Sequence, residues 1–404
     1  MAPLITESYL QKANVLRYFK TRPRFFLVIL ASFLILCFNL VYAWAKLTNV
    51  VPRVAPGAVS IAPSLFHEEF SEGTRLIFKD QYEKGLSHFD ALRERIPEHP
   101  APYFFKAAAY QSWMSTFRNG KFQESMEENV RLAIEKGTTL LVTDKDPWNH
   151  FFVGAAFGYR AFNRFSKHDW IGAYFDAIKG IKNFEEALKQ EPRIYDAYLG
   201  LGTYHYWRTA KSSFIRLIAF WMADRRELGL RQLDFSRRHG LYSPHEATYN
   251  LIAACFDYGK YQQAFDILNE VLKKKKKPGL SDLYYRGRLL AKFNRWHDVE
   301  VTFRGLSRRL EKHPLASTGY KVEIRYWIAL ALRKQNKISG AWRLTEDALI
   351  LSAARNGHQE LEGPFESFME IKNELAALHT ELKIEKQGLI EALEGQPDRQ
   401  EGGP

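Results

Sequence analysis

Apolar and polar positions divide the 404-residue chain into three regimes. Between Phe25 and Ala45 lie 21 consecutive residues without a formal charge, FFLVILASFLILCFNLVYAWA. At about 1.5 Å per residue, a helix of that length spans roughly 31 Å, the hydrocarbon thickness of a bilayer. A buried soluble helix of similar length would carry a polar stripe, and this one has none. Residues 46–64 have no helical period and contain Pro52, Pro56 and Pro63, which predicts an extended tether. From residue 65 onward, apolar residues recur three and four positions apart in helix-length segments separated by short polar turns, so the body is expected to be all-α.

The helical segments repeat with a period near 34. Units run over 66–99, 245–278 and 280–313, another opens at Tyr195, and a last one opens near Val322. Small and large residues recur at fixed places: Gly73, Tyr82, Gly85, Phe89, Leu92 and Pro97; then Leu251, Gly259, Tyr261, Ala264 and Leu268; then Gly287, Trp296, Val299, Phe303 and Leu306. Tyr198, Leu201, Gly202, Ala341 and Ala348 continue the series. This pattern resembles the tetratricopeptide repeat (TPR). The resemblance implies an α-α superhelix of about six or seven hairpins over 65–358, because one hairpin cannot bury its apolar face alone. Residues 100–144 and 145–194 exceed one period and are expected to carry insertions. Residues 359–393 read as capping helices and 394–404 as a disordered tail.

One stretch breaks the period. Between Trp207 and Met222 lies an insertion containing Phe214, Ile215, Leu217, Ile218, Phe220 and Trp221. With its flanks Gly200, Gly202, Tyr204, Asp224, Arg225 or Arg226, Glu227, Gly229 and Leu230, it is similar to a TPR-like family that includes the eukaryotic inclusion-body clearance proteins. The resemblance covers about a tenth of the chain, and the prolines of that family's connector are missing. It implies ancestry and a scaffold role.

Charge sets the expected topology. Lys12, Arg17, Lys20, Arg22 and Arg24 precede the apolar run, whereas only Lys46 and Arg53 follow it closely. That asymmetry predicts a single-pass inner-membrane protein with a cytoplasmic N-terminus (1–24), a signal-anchor helix (25–45) and a periplasmic body. Tyr42 and Trp44 sit where interfacial anchors belong. The alternative is secretion to the periplasm after cleavage near Ala45, since Ala43-Trp44-Ala45 fits a small-x-small site. No asparagine begins an N-x-S/T sequon, in keeping with a bacterial envelope. The two cysteines, Cys37 and Cys255, cannot form a disulfide framework or a four-cysteine zinc site. The net charge of +12 is uneven. Residues 145–244 and 245–314 carry +6 each, while 65–144 and 315–404 carry −3 each.

Helix A of a TPR unit lines the concave face, with positions 2, 5, 9 and 12 on one side. The expected groove therefore presents Asp196, Tyr206, Tyr249, Phe256, Tyr284, Arg288, Tyr326 and Arg333 to a protein partner, with Glu246 and Glu323 on the same faces. Tyrosine and arginine suit such interfaces; the same tyrosines could instead pack against the neighbouring helix A. A second reading places Phe214, Leu217, Trp221, Arg225, Arg226, Lys273, Lys274 and Lys275 against an anionic lipid surface or an acidic protein. The alternative role for these lysines is to cap a helix C-terminus. A third reading makes the aromatic cluster at Tyr204 and His205 a small-molecule or catalytic site. No P-loop, Gly-x-Ser-x-Gly or His-Glu-x-x-His motif accompanies it, so neither a cofactor nor a metal is expected, and the chain is expected not to be an enzyme. Nucleic acid is not an expected partner of a body outside the cytoplasm.

Overall fold

The computed structural model describes residues 51–210 and 223–394. The expected anchor at 25–45, the insertion residues Phe214, Leu217 and Trp221, and the tail from 395 lie outside them. Among the described residues no helix is long and apolar enough to cross a membrane.

Fifteen α-helices are formed among the described residues: α1 His67–Phe78, α2 Tyr82–Arg95, α3 Pro100–Phe117, α4 Gln123–Leu140, α5 Pro147–Ser166, α6 Trp170–Gln190, α7 Ala197–Ala210, α8 Arg226–His239, α9 Pro244–Asp257, α10 Tyr261–Lys274, α11 Leu280–Lys292, α12 Trp296–Glu311, α13 Thr318–Lys334, α14 Ile338–Ser352 and α15 Phe368–Glu394. Consecutive helices pair into seven hairpins, successive A helices also touch, and α15 packs on α13 and α14 as a terminal cap. Helix starts are chemically marked. Pro100, Pro147 and Pro244 open α3, α5 and α9, where their missing N–H costs nothing. The Asp146 side chain accepts the Trp148 N–H at 2.9 Å, and the Ser317 hydroxyl accepts the Tyr320 N–H at 3.2 Å. The turns inside hairpins are marked too. Asp80, His168, Gly259, Asn294 and Asn336, each two residues past a helix A, all have positive φ, a left-handed conformation that Gly, Asn and Asp tolerate best.

Packing follows the small-to-large rule read from the repeat. A Cβ on Gly73 would lie 2.2 Å from the Phe89 ring, and one on Gly287 would lie 2.5 Å from the Phe303 ring. Each glycine of helix A thus makes the seat for an aromatic of helix B. One approach is between backbones. A Cβ on Gly229 would meet both the Gly202 carbonyl oxygen and the Tyr206 nitrogen at 2.7 Å. Backbone cannot yield as a side chain can, so Gly229→Ala is expected to lower stability by about 3 kcal/mol. Gly305→Ala in α12 meets nothing within 4 Å and should instead gain up to about 1 kcal/mol of helix propensity. Urea unfolding of the two variants compares them directly; equal effects would contradict the backbone contact.

The superhelix closes on itself. The Phe78 ring at the end of α1 stacks on His245 at the start of α9, with centroids 4.4 Å apart. Phe117 at the end of α3 stacks on His313 at 3.7 Å, and its carbonyl accepts the Ser317 N–H at 3.0 Å. Tyr242, in the α8–α9 turn, sits among Phe70, Phe105 and Trp148. The N-terminal hairpins therefore cover the inner faces of the C-terminal ones, and apolar burial gains from that closure.

The described part of the expected extended tether is docked on the solenoid as a strap. The Ser60 N–H donates to the His239 carbonyl at 2.6 Å, and the Ser60 hydroxyl donates to the Arg193 carbonyl at 3.0 Å. The Tyr195 N–H donates back to that hydroxyl at 3.0 Å, and the His239 imidazole bonds the Ala58 carbonyl. A proline-rich strand has free backbone groups, and here they find partners on the solenoid.

Candidate functional site: the occupied groove

The inner faces of α9, α11 and α13 carry the residues expected to meet a partner, and a segment of the same chain already lies on them. After α14 ends, residues 353–367 leave the helical path instead of starting the expected capping helix at 359; Gly363 and Pro364 stop helix formation there. The segment enters through a turn and a single bridge. The Gly120 N–H donates to the Gln359 carbonyl at 2.7 Å, and the Leu361 N–H donates to the Arg118 carbonyl at 3.0 Å. The resulting bridge between Asn119 and Glu360 is antiparallel. The Glu360 carboxylate accepts the Thr318 and Gly319 N–H groups at 3.1 and 2.7 Å, capping the positive end of α13. Leu361 packs against Ala107, Met114, Met126 and Val130.

Phe365 is the aromatic anchor. Its ring stacks on Phe256 at 4.0 Å and lies 6.2 Å from Tyr284 and 5.9 Å from Tyr285. Next to it, Glu366 accepts two hydrogen bonds from Arg288, at 2.6 and 2.5 Å, in a planar fork. Arg288 is 1% exposed and also donates to the Tyr284 hydroxyl at 2.8 Å. The Tyr284 hydroxyl donates to Glu323 at 2.9 Å, and Glu323 pairs with Arg118. Arg118 lies over the Tyr320 ring at 3.9 Å. Burial alone would raise the Glu323 carboxyl, but Arg118 and Arg288 outweigh it and hold it below its ordinary value. The pair therefore stays ionised inside an aromatic box.

In this structure the groove residues are met by the chain itself. Tyr284, Arg288, Phe256 and Tyr326 are buried within the chain rather than presented to solvent. Asp196 is fully buried and accepts the N–H groups of Leu241, Tyr242 and Ser243, at 2.7 to 3.0 Å, which fixes the α8–α9 turn. Tyr206 is also fully buried and donates to Asp257 at 2.7 Å. Tyr249 is half-buried, bonded to Asp282 and Lys275. Arg333 pairs with Glu381 and Glu385 of the cap helix. Tyr249 and Tyr284 meet rings of the next helix A, Tyr285 and Tyr320, at 6.0 and 5.9 Å. A solenoid that curls this far turns its inner face into core, which the repeat pattern alone does not specify.

The described residues of the second reading, Arg225, Arg226 and Lys273 to Lys275, have separate surroundings. Lys273 and Lys274 are exposed at the end of α10, whereas Lys275 turns inward to Asp282 at 2.7 Å. Arg226 pairs with Asp224 at 2.6 Å and lies over the Tyr258 ring. Arg225 is half-buried, with a guanidinium nitrogen 3.5 Å from His205 Nε2. His205 itself is 2% exposed, and its Nδ1 hydrogen-bonds Gln232 at 2.7 Å. Burial brings its pKa down to about 4, so it is neutral at pH 7. Tyr204 lies beneath Arg208, 5.4 Å from ring centroid to guanidinium carbon. Among the described residues no three His, Cys, Asp or Glu side chains gather as a metal site.

Sequence reasoning missed Arg118, Glu360, Phe365 and Glu366. Arg118 carried no signal, since its partner Glu323 is 205 positions away. The Gly363-Pro364 break was a signal for a non-helical stretch, and it marks where the occupant of the groove lies.

Fold and groove define an α-solenoid of stacked helical hairpins. No protein-family model matches the chain, and no curated protein sequence matches it. Among solved structures it is similar to the C-terminal part of a TPR repeat-containing protein from Cytophaga hutchinsonii, with 15% identity over 72% of this chain and 97% of that one and a TM-score of 0.37. It is similar to yeast Tom70 at 12% identity, covering 86% of this chain and 71% of that one with a TM-score of 0.39. The TPR domain of P58(IPK) matches at 15% identity over 82% and 94% of the two chains, with a TM-score of 0.23.

Proposed function

We propose that the chain is a non-catalytic scaffold whose central groove receives an extended acidic-aromatic peptide, and that residues 355–367 hold that place in the uncomplexed protein. The observation that carries this reading is the seating of Phe365 on Phe256 beside the Glu366–Arg288 fork. An aromatic anchor next to a bidentate carboxylate is how one side of an interface commonly grips a peptide. The half-buried state of Phe365 and Glu366 keeps the segment displaceable. The uncharged run at 25–45 supports anchoring in an inner membrane, and the five basic residues before it support a periplasmic solenoid. The stretch from Gly200 to Leu230 supports shared ancestry with the inclusion-body clearance family.

The test uses the full chain carrying Phe365→Ala and Glu366→Gln, with a fluorescent synthetic peptide of residues 357–368. Anisotropy should report saturable binding to the double variant and at least tenfold weaker binding to the wild type, whose groove is filled. A folded double variant that ignores the peptide would show the segment to be a fixed part of the core.

A further inference from the structure

A second surface stands out at the tip of the α5–α6 hairpin. Phe162 and Phe165 in the last turns of α5, and Trp170, Ile171, Tyr174 and Phe175 in the first turns of α6, are 41–74% exposed. Among the described residues every exposed Phe, Trp or Tyr lies in this span. Elsewhere the exposed large hydrophobics are single aliphatic residues or methionine, which need no explanation. Here they form one ledge. The Phe165 and Trp170 rings meet edge-on at 4.8 Å, the Tyr174 and Phe175 rings are 5.9 Å apart, and positions 170, 171, 174 and 175 share one helical face.

We propose that this ledge docks on the interfacial zone of an anionic lipid bilayer. Two observations choose lipid. Between residues 160 and 182 the chain carries Arg160, Arg164, Lys167, Lys179 and Lys182 against only Asp169 and Asp176. Asp176 is buried and pairs with Arg160 and Arg164, Arg164 also pairs with Asp169, and Lys167 pairs with Glu127, so five cations against three carboxylates leave an excess of two positive charges. The rim is therefore cationic, the complement of acidic headgroups. Trp and Tyr beside Phe and Ile form a set that partitions to the membrane interface, apolar bodies inward and polar edges in the headgroups. A hairpin tip also suits the shallow penetration of roughly 5–10 Å that interfacial segments reach. This inference stands apart from the groove reading: a filled or emptied groove leaves the ledge unchanged.

The test uses the full chain with Cys37→Ser and Ile171→Cys, labelled with an environment-sensitive fluorophore; Cys255 is fully buried and does not compete. The reference carries Cys37→Ser and Ile350→Cys, at another exposed aliphatic position. Both are combined with phosphatidylcholine vesicles containing about one-third phosphatidylserine and nitroxide-labelled lipid. The label at 171 should shift to the blue and be quenched at least threefold more than the label at 350. Adding Trp170→Ser and Phe175→Ser should remove most of that excess. Equal quenching at both sites would overturn the proposal. So would a blue shift at 171 without lipid quenching, which means that protein, a second copy or another chain, covers the ledge.

Discussion

Replacing Arg288 by alanine is expected to lower the free energy of unfolding by about 3–5 kcal/mol. The side chain is 1% exposed and joins four groups: Glu366, Glu323, the Tyr284 hydroxyl and, through its flat face, the Trp327 ring at 4.4 Å. Its net contribution while present is modest, because desolvating a guanidinium cancels much of the attraction. The large effect comes from what is left behind. Glu323 is buried with one cation instead of two, and Glu366 is held against an aromatic surface with none. Glu366→Gln removes the other end of the fork at a group about one-third exposed and should cost about 1 kcal/mol. Guanidinium unfolding followed by circular dichroism measures both. Limited proteolysis of Arg288→Ala should also cut between residues 355 and 367 sooner than in the wild type. An Arg288→Ala protein within 1 kcal/mol of the wild type, with that segment equally protected, would mean that the network does not hold the groove shut.

Acid is expected to destabilise the fold well before ordinary carboxylates protonate. Burial brings His99, His205 and His245 down to about 4. The His99 Nδ1 accepts the Ala101 N–H at 3.2 Å, a bond available only to the neutral ring. The sign follows from linkage. Between the unfolded value near 6.5 and the folded value near 4, the unfolded chain binds protons that the folded chain refuses. Stability is therefore full above pH 6.5, falls by up to about 1.4 kcal/mol per pH unit per histidine, and stops falling for these groups below pH 4. Glu185, pushed up to about 6 by burial, works the other way and offsets part of the loss. The Tm should drop steeply between pH 6.5 and 4.5 by scanning calorimetry. His245→Phe, which can keep the stack on Phe78, should shallow that slope by about a third. A Tm flat across this range would refute the assignment.

Repeat units and their turns were legible in the sequence because they rest on local chemistry, although 100–144 and 145–194 hold longer helices, α3 to α6, where insertions were expected. Gly259 turns a chain, Pro244 starts a helix, and Gly287 leaves room for Phe303 within one unit of 34 residues. The closure of the superhelix was not legible. It depends on contacts such as Phe117 with His313 and Arg118 with Glu323, which no period encodes. The tyrosines at position 5 illustrate the boundary between the two. Their place on the inner face followed from helical spacing, but whether that face meets solvent, a partner or the chain itself is decided by residues outside the repeat unit, such as Phe365 and Arg118 against Tyr284. The aromatic ledge at Phe162–Phe175 was overlooked for a related reason: in an aromatic-rich helix, sequence alone does not separate the rings that a neighbour covers from those it leaves bare.

The docked strap has a mechanical consequence. A pull on residue 54 does not begin at α1. It is delivered through Ser60 to Arg193, Tyr195 and His239, near the midpoint of the chain, and loads those bonds together. Any load arriving from the N-terminal side is thereby taken by the central hairpins, and the two ends of the solenoid hang from that point free of tension.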